Sequence, residues 1–259
     1  MDMKKNNEAK ERLEMYRFFL KDTIRQQIDF HNTAQHQRIP APPLQKPFSP
    51  DAACIGLPEG AAACSRLCNM TVGKAIALRE SVRSYADEGF TLEELSALLW
   101  ATQGVRHVLT PQCALRTVPS AGARHAFETY VVANRIGGLA AGLYRYLPFD
   151  GQLVQLSIDS QISNKAAYAC LEQQFVAEAA TTLFWTAIPE RMEWRYDLAA
   201  HKVIAIDVGH VCQNLYLAAT AMNAGVCAIA AYHQAACDQL LGVDGENEFT
   251  VYIAAVGKR

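Results

Sequence analysis

A segment near residue 80 carries two arginines and a serine at every second position, a pattern suited to binding a phosphate group. These residues are Arg79, Ser81 and Arg83. In an extended segment the side chains at i, i+2 and i+4 share one face, so these three point one way while Glu80 and Val82 point the other. Arginine grips phosphate oxygens with two parallel hydrogen bonds, whereas lysine supplies only a point charge. The spacing therefore indicates a clamp for a phosphate monoester. A solvated surface is the alternative that the motif alone leaves open.

A run of small residues follows some forty positions later. Ser120 to Ala123 lies between Pro119 and Arg124, ahead of an alternating run from Phe127 to Ala133. Small residues let a flat ligand approach the main chain closely. The segment therefore predicts a backbone platform for a planar ligand, with an ordinary turn before a strand as the alternative.

With these two segments the chain resembles the flavin-dependent nitroreductases, and more narrowly their SagB-type dehydrogenase branch. The resemblance extends from about residue 42 to residue 259. It is carried, in order, by Pro42-Pro43-Leu44-Gln45-Lys46-Pro47, Arg79-x-Ser81-x-Arg83, Leu95-x-x-Leu98-Leu99-Trp100-Ala101-x-Gln103-Gly104, Arg116-Thr117-Val118-Pro119-Ser120-Ala121-Gly122-Ala123-Arg124, Gly142-Leu143-Tyr144-x-Tyr146 and Asp207-x-Gly209-His210-x-x-Gln213-Asn214.

The resemblance implies an α+β fold with a central, mostly antiparallel sheet flanked by helices, and a long buried helix at a dimer interface. It implies a homodimer that binds one flavin mononucleotide (FMN) per subunit, between the subunits. The implied activity is ping-pong hydride transfer from NAD(P)H through FMN to a nitroaromatic, a quinone or a similar small acceptor. The alternatives are a SagB-type flavin dehydrogenase of a peptide or small molecule, a relative that dehalogenates substrates or cleaves flavin, and a non-catalytic flavin-binding scaffold.

The resemblance also assigns roles to individual residues. Arg79, Ser81 and Arg83 match the family's phosphate motif, although Glu80 replaces a second arginine that many relatives carry. The segment that lines the flavin ring corresponds to Pro119, Ser120, Ala121, Gly122 and Arg124. Arg124 is expected to place positive charge near the pyrimidine edge of the ring, which stabilises the reduced cofactor. A surface ion pair is the alternative for Arg124.

Two further segments are assigned in the same way. The loop that covers the ring near N5 corresponds to Ala230, Ala231 and Tyr232, although the glycine and carboxylate typical of relatives are missing here. Tyr232 is either a gate or a core aromatic residue. Lys258 and Arg259 complete the phosphate site, or else they are solvated charges at the chain end. No essential catalytic acid is predicted, because the cofactor performs the difficult step, and His210 is expected in the core.

Composition limits the other possibilities. The chain has 259 residues, 51% of them hydrophobic, which suffices for one large core. With 24 basic and 26 acidic residues it has no general attraction for nucleic acid or acidic membranes. The opening residues are charged and no uninterrupted apolar stretch could span a bilayer, so we expect a cytoplasmic protein.

Cys54, Cys64 and Cys68 lie close together in the sequence, but their spacing matches no common metal motif, and no metal is predicted.

Local patterns place these motifs on structural elements. Apolar residues at i, i+4 spacing predict an amphipathic helix over 8–30 that docks on the body or on a partner. Five prolines between residues 40 and 50 predict an extended arm. We therefore expect an N-terminal helix and arm over 1–69 and an FMN-binding domain over 70–259. Thr91 and Glu94 form a capping box, and Gly104 is expected to end that helix in a left-handed conformation.

The remaining elements follow from periodicity and turn residues. An antiparallel meander is predicted over 127–134, 142–146 and 152–157, with further strands over 181–188 and 249–256. Helices are predicted over 163–179 and 198–223. The latter is apolar on most faces, which is typical of a buried helix.

Overall fold

The computed structural model describes residues 2–259, with side chains from residue 8, so the first side chains of the charged opening stretch lie outside the described part. The helices are α1 (Asp2–Leu20), α2 (Gly60–Leu67), α3 (Val72–Leu78), α4 (Leu92–Gln103), α5 (Ile162–Ala169), α6 (Gln174–Glu178), α7 (Glu190–Tyr196), α8 (Ala200–Ala221) and α9 (Gln234–Leu241). The strands are β1 (Cys54–Gly56), β2 (Val105–Thr110), β3 (Cys113–Arg116), β4 (Phe127–Ala133), β5 (Gly142–Leu147), β6 (Gln152–Ile158), β7 (Thr181–Ala187), β8 (Ala224–Ile229) and β9 (Phe249–Lys258).

Seven strands form the central sheet in the order β1-β6-β5-β4-β7-β9-β8, and every neighbouring pair is antiparallel. Strands β2 and β3 form a separate hairpin. The predicted α+β fold and the meander β4-β5-β6 are confirmed. Strand β9 continues to Lys258, two residues beyond its predicted end.

Alternate residues of the central strands pack in two hydrophobic layers, as the period of two in a strand requires. Val131 and Leu183 face α4 and α8, whereas Val132 and Phe184 face α5 and α9. The sheet is therefore covered on both faces. Helix α8 is the central element of the first layer, which explains why it is apolar on so much of its surface.

The capping box at the start of α4 is confirmed, because the side chains of Thr91 and Glu94 each bond the other's main-chain N–H. The prediction that Gly104 ends α4 in a left-handed conformation was wrong. Gly104 has φ −56°, and a Cβ there would collide with Trp100. Close approach of that indole, and not backbone handedness, requires glycine at the helix end.

Two predicted helices are corrected. The helix predicted over 163–179 is two helices, because Leu171 and Glu172 both have φ +58° and interrupt it. The helix predicted over 8–30 ends at Leu20 and is followed by short 3₁₀ turns. Over its described side chains, residues 8–20, the helix does not pack on the body, since Tyr16 and Leu20 are 65% and 69% exposed. The following turn, Asp22–Gln27, contacts the body near residues 197–199.

The arm that follows runs without regular structure across the body, as the prolines predict. Strand β1 then pairs with β6, and α2 packs on α4. Part of the segment before residue 70 therefore belongs to the packed body. The domain boundary near residue 70 stays a prediction.

Candidate flavin site

The segment from Arg79 to Arg83 runs beside β8, where the amide of Val82 donates to the carbonyl of Val226 at 2.9 Å. The side chains of Arg79 and Ser81 face Tyr216 of α8. The Ser81 hydroxyl lies 3.0 Å from the Tyr216 hydroxyl, and the Arg79 guanidinium lies 5.3 Å from the centre of that ring. The end of α8 therefore supports one side of the predicted clamp.

Arg83 completes this face of the segment and lies beside the thiol of Cys227. Burial raises the pKa of that thiol, and the positive charge of Arg83 opposes the rise. Glu80 points away and pairs with Arg259 at 2.9 Å, while Val82 packs on Gly225. This is the alternation that the sequence predicts.

The structure does not bring Lys258 to the clamp. Its ammonium group bonds Glu94 of α4, lies 3.9 Å from Glu88, and lies 5.2 Å from the centre of the Phe90 ring. Arg259 is held at the back of the clamp segment through Glu80. Arg259 therefore braces the clamp segment from behind, whereas Lys258 is paired outside it.

The segment 119–124 lies against a different part of α8. Gly122 has φ +58°, and a Cβ there would be 2.7 Å from the Tyr196 hydroxyl and 3.0 Å from Arg195, so both strain and space require glycine. Asp207 anchors the segment by accepting from the amide of Ala121 at 3.2 Å. Burial raises the pKa of this carboxyl, and the neighbouring Ser120 hydroxyl and Ala121 amide oppose the rise.

Arg124 is buried, so a surface ion pair is excluded for it. Its guanidinium donates to the carbonyls of Arg191 at 3.0 Å and Gln112 at 3.1 Å, and it lies 4.7 Å from the ring centre of Trp194. It is not brought to the clamp. Its expected role at a flavin ring stays a prediction.

A groove of about 590 Å³ opens on the face of α8 towards its N-terminus. Its walls are the first half of α8, the loop after β8 and the start of β9, represented by Val208, Ala230, Tyr232 and Tyr252. The Tyr232 hydroxyl donates to the Thr250 carbonyl at 3.0 Å, so this residue is a fixed wall and not a free gate in this structure. Burial raises the pKa of Tyr232 to about 12.

Helix α8 connects the clamp to the groove. Val208 lines the groove, and Tyr216 contacts the clamp. Residues four apart lie on one face of a helix, and eight residues rise about 12 Å. Clamp and groove therefore lie about two helical turns apart along α8, with the buried side chains of Val208 and Tyr216 on the same face of the helix.

A larger groove of about 970 Å³ lies between β6, α5 and α9. It contains none of the residues that sequence analysis singled out, and its polar groups, such as Asp159 and Lys165, already pair with each other at 2.6 Å. We therefore place the candidate site at the smaller groove, which shares helix α8 with the clamp.

Sequence reasoning gave no role in the site to three polar residues of this region, Asp207, His201 and Glu193. Asp207 could have been found as a lone acid on an apolar helix. His201 lines the groove and bonds Glu193 at 2.7 Å, but these residues belong to different helices and carry no joint motif. His210, expected in the core, is exposed on α8.

No group of three metal-ligating side chains that could hold an ion occurs among the described side chains, Cys64 and Cys68 included. All eight cysteines are free, and Cys170, Cys212, Cys227 and Cys237 are buried. Over residues 2–259 no helix is both long and apolar enough to cross a bilayer.

Comparison with known proteins adds the family. A family model described as the nitroreductase family matches residues 76–258. A nitroreductase-family protein of Methanocaldococcus jannaschii is 33% identical over 181 residues, which cover 70% of this chain and 87% of that protein. The trifolitoxin-processing protein TfxB of Rhizobium leguminosarum bv. trifolii is 30% identical over 122 residues, which cover 46% of this chain and 33% of that protein.

A solved structure supports the fold. A nitroreductase-family protein of Ralstonia eutropha superposes with a TM-score of 0.65 at 24% identity, over 85% of this chain and 98% of that one. At this identity the likeness shows the fold alone. The nitroreductase-like fold predicted from the sequence is confirmed.

Proposed function

This chain belongs to the nitroreductase family, an oxidoreductase family, and from that premise we propose that it binds FMN and transfers hydride from NAD(P)H to a nitroaromatic, a quinone or a similar small acceptor. The observation that carries the proposal is the placement of two features along α8. A cationic clamp around Arg79, Ser81 and Arg83 lies at Tyr216, and a mostly apolar groove bounded by Ala230 and Tyr252 lies about two helical turns away.

The residues present fit FMN. No carboxylate within the described residues pairs with Arg79 or Arg83, so both guanidiniums are available to a phosphate dianion. The groove has a volume typical of small-ligand sites and apolar walls suited to a flat ring. Bound flavin would accept a hydride from reduced nicotinamide and deliver it to the acceptor.

The chain's own residues have separable tasks in this proposal. Arg79, Ser81 and Arg83 hold the phosphate. The loop at Ala230 bounds the groove that would take the ring, and β9 and α8 supply its other walls. His201, oriented by Glu193, lies where it can give a proton to the acceptor.

We further propose a homodimer. An exposed stripe runs along α8 through Ile206, which is 50% exposed, and through Gly209, His210 and Gln213. The groove lies on one side of this stripe, and Asp207 with the segment 119–124 lies on the other. A second copy packed on the stripe would bring its own segment 119–124 beside this groove. That accounts for the separation of the two halves of the flavin site in one chain.

Steady-state kinetics of the FMN-loaded protein test this function. We expect NADPH or NADH oxidation that depends on an added nitroaromatic or quinone, with parallel double-reciprocal lines at several acceptor concentrations, as alternating half-reactions require. Intersecting lines would contradict the ping-pong scheme.

Gel filtration with light scattering tests the dimer. The eight free cysteines accord with a reducing compartment, and we propose the cytoplasm.

The match to the trifolitoxin-processing protein favours a second candidate function. In this second function, the same site would oxidise a modified peptide or small molecule, as a SagB-type dehydrogenase does. Anaerobic addition of a thiazoline-containing peptide to the oxidised holoprotein separates the two functions. Bleaching of the flavin absorbance by the peptide, together with slow reduction by nicotinamides, would favour the second.

A further inference from the structure

Three buried arginines lie around one buried carboxylate, and a fourth, Arg124, is linked to them through the main chain of Arg191. Glu128 of β4 accepts from Arg191 at 2.5 Å and lies 3.7 Å from a nitrogen of Arg145. Arg124 donates to the Arg191 carbonyl. Arg116 completes the group, which we call the arginine cluster: Arg116, Arg124, Arg145 and Arg191, each at most 4% exposed.

Arg116 keeps its charge at neutral pH. Burial, and then the nearby charge of Arg191, lowers the pKa of Arg116 only to about 10, and Glu128 opposes the fall. His125 is also buried here, and burial followed by the charge of Arg116 lowers its pKa to about 3. The histidine is therefore neutral, and Glu128 is the carboxylate shared by the guanidiniums of Arg116, Arg145 and Arg191.

Every guanidinium of the cluster has an N–H nitrogen without a protein acceptor. These nitrogens are Nε of Arg116, Nη2 of Arg124, Nε and Nη1 of Arg145 and Nη1 of Arg191. A buried donor left unpaired costs about 1–3 kcal/mol, and an uncompensated buried charge costs more. Such groups indicate an ion or water that completes the site.

The proline-rich arm covers part of the arginine cluster and hydrogen bonds two of its guanidiniums. The carbonyl of Leu44 accepts from Arg116 at 2.9 Å, and that of Pro47 accepts from Arg145 at 3.1 Å. Lys46, between them, pairs with Glu248 at 2.5 Å, so that neighbouring carboxylate is already neutralised. The arm supplies main-chain dipoles but no negative charge, and its cover excludes a large ligand.

We propose that the arginine cluster binds a small inorganic anion of the size of chloride, beside Glu128, as an internal counter-ion. It is separate from the clamp at Arg79 and Arg83, and it does not depend on the flavin. The anion would accept from the unpaired nitrogens of Arg145 and Arg191 and fix the base of the segment that carries Arg124.

Bromide is the probe for location. Crystals of the wild-type protein grown in sodium bromide and measured at the bromine absorption edge should give an anomalous difference peak between the guanidiniums of the cluster. A map with water there, and with bromide on the surface only, would overturn the proposal. This measurement needs no variant.

Thermal unfolding in chloride is the probe for energetics. When sodium chloride replaces sodium gluconate at constant ionic strength, Tm should rise saturably by about 3 °C or more, because the folded state alone binds the anion. Arg145→Gln should lose at least half of that rise, whereas Arg106→Gln, at an exposed arginine, should keep it. A Tm independent of chloride, or an equal response of both variants, would contradict the proposal.

Discussion

Substitution of Arg83 by alanine tests the phosphate clamp. Arg83 is exposed, and its protein contact is the thiol of Cys227, so its guanidinium is free to bond a phosphate. A hydrogen bond to a charged group contributes about 1.5–3 kcal/mol, so its loss should raise the Kd for FMN about 10- to 150-fold. Titration of the apoprotein with FMN, followed by flavin fluorescence quenching, measures this change.

Glu80→Ala is the matched control, because Glu80 is in the same segment but points to Arg259. It should leave the Kd within about threefold, since exposed ion pairs contribute little. Both apoproteins should unfold within about 2 °C of wild type, as surface substitutions do. An unchanged Kd for Arg83→Ala would refute the clamp. A large loss of stability would show that Arg83 has a structural role instead.

Two further predictions concern the platform and the buried histidine. Gly122→Ala should lower the free energy of unfolding, measured in urea, by about 1–3 kcal/mol, because Gly122 has a positive φ and a Cβ there would contact Tyr196. The control is Gly73→Ala, in open space on α3, which should be neutral or stabilising. His125 has a pKa of about 3 in the folded protein and therefore stays neutral there. In the unfolded chain the same histidine takes up a proton below about pH 6.5. The free energy of unfolding therefore falls as the pH drops from about 6.5 towards 3. His125→Gln should reduce that slope by about 1.4 kcal/mol per pH unit in urea unfolding at pH 4.5–6, and an unchanged slope would contradict it.

The sequence predicted the meander well because its strands alternate in polarity and are separated by glycine turns. Strand β4 ends within one residue of its predicted end, and β7 likewise. The break at Leu171 and Glu172 could not be predicted in this way. Neither residue type favours a positive φ, so tertiary packing imposes it.

The candidate site was predictable where its residues are close in sequence. Arg79, Ser81 and Arg83 share a face because of strand geometry alone. Long-range contacts were not accessible to that reasoning. The pair between Glu128 and Arg191 joins residues 63 positions apart, and it is this network that draws Arg124 inward. Likewise, the pairing of Lys258 with Glu94 depends on how β9 packs beside α4.

The central claim is that this chain binds and reduces flavin, and an anaerobic visible spectrum tests it most directly. We predict that the protein, incubated with FMN and freed of excess, retains a flavin absorbance band. Addition of NADH or NADPH should bleach the band, and a quinone should restore it. A protein that stays colourless after incubation with excess FMN would contradict the account.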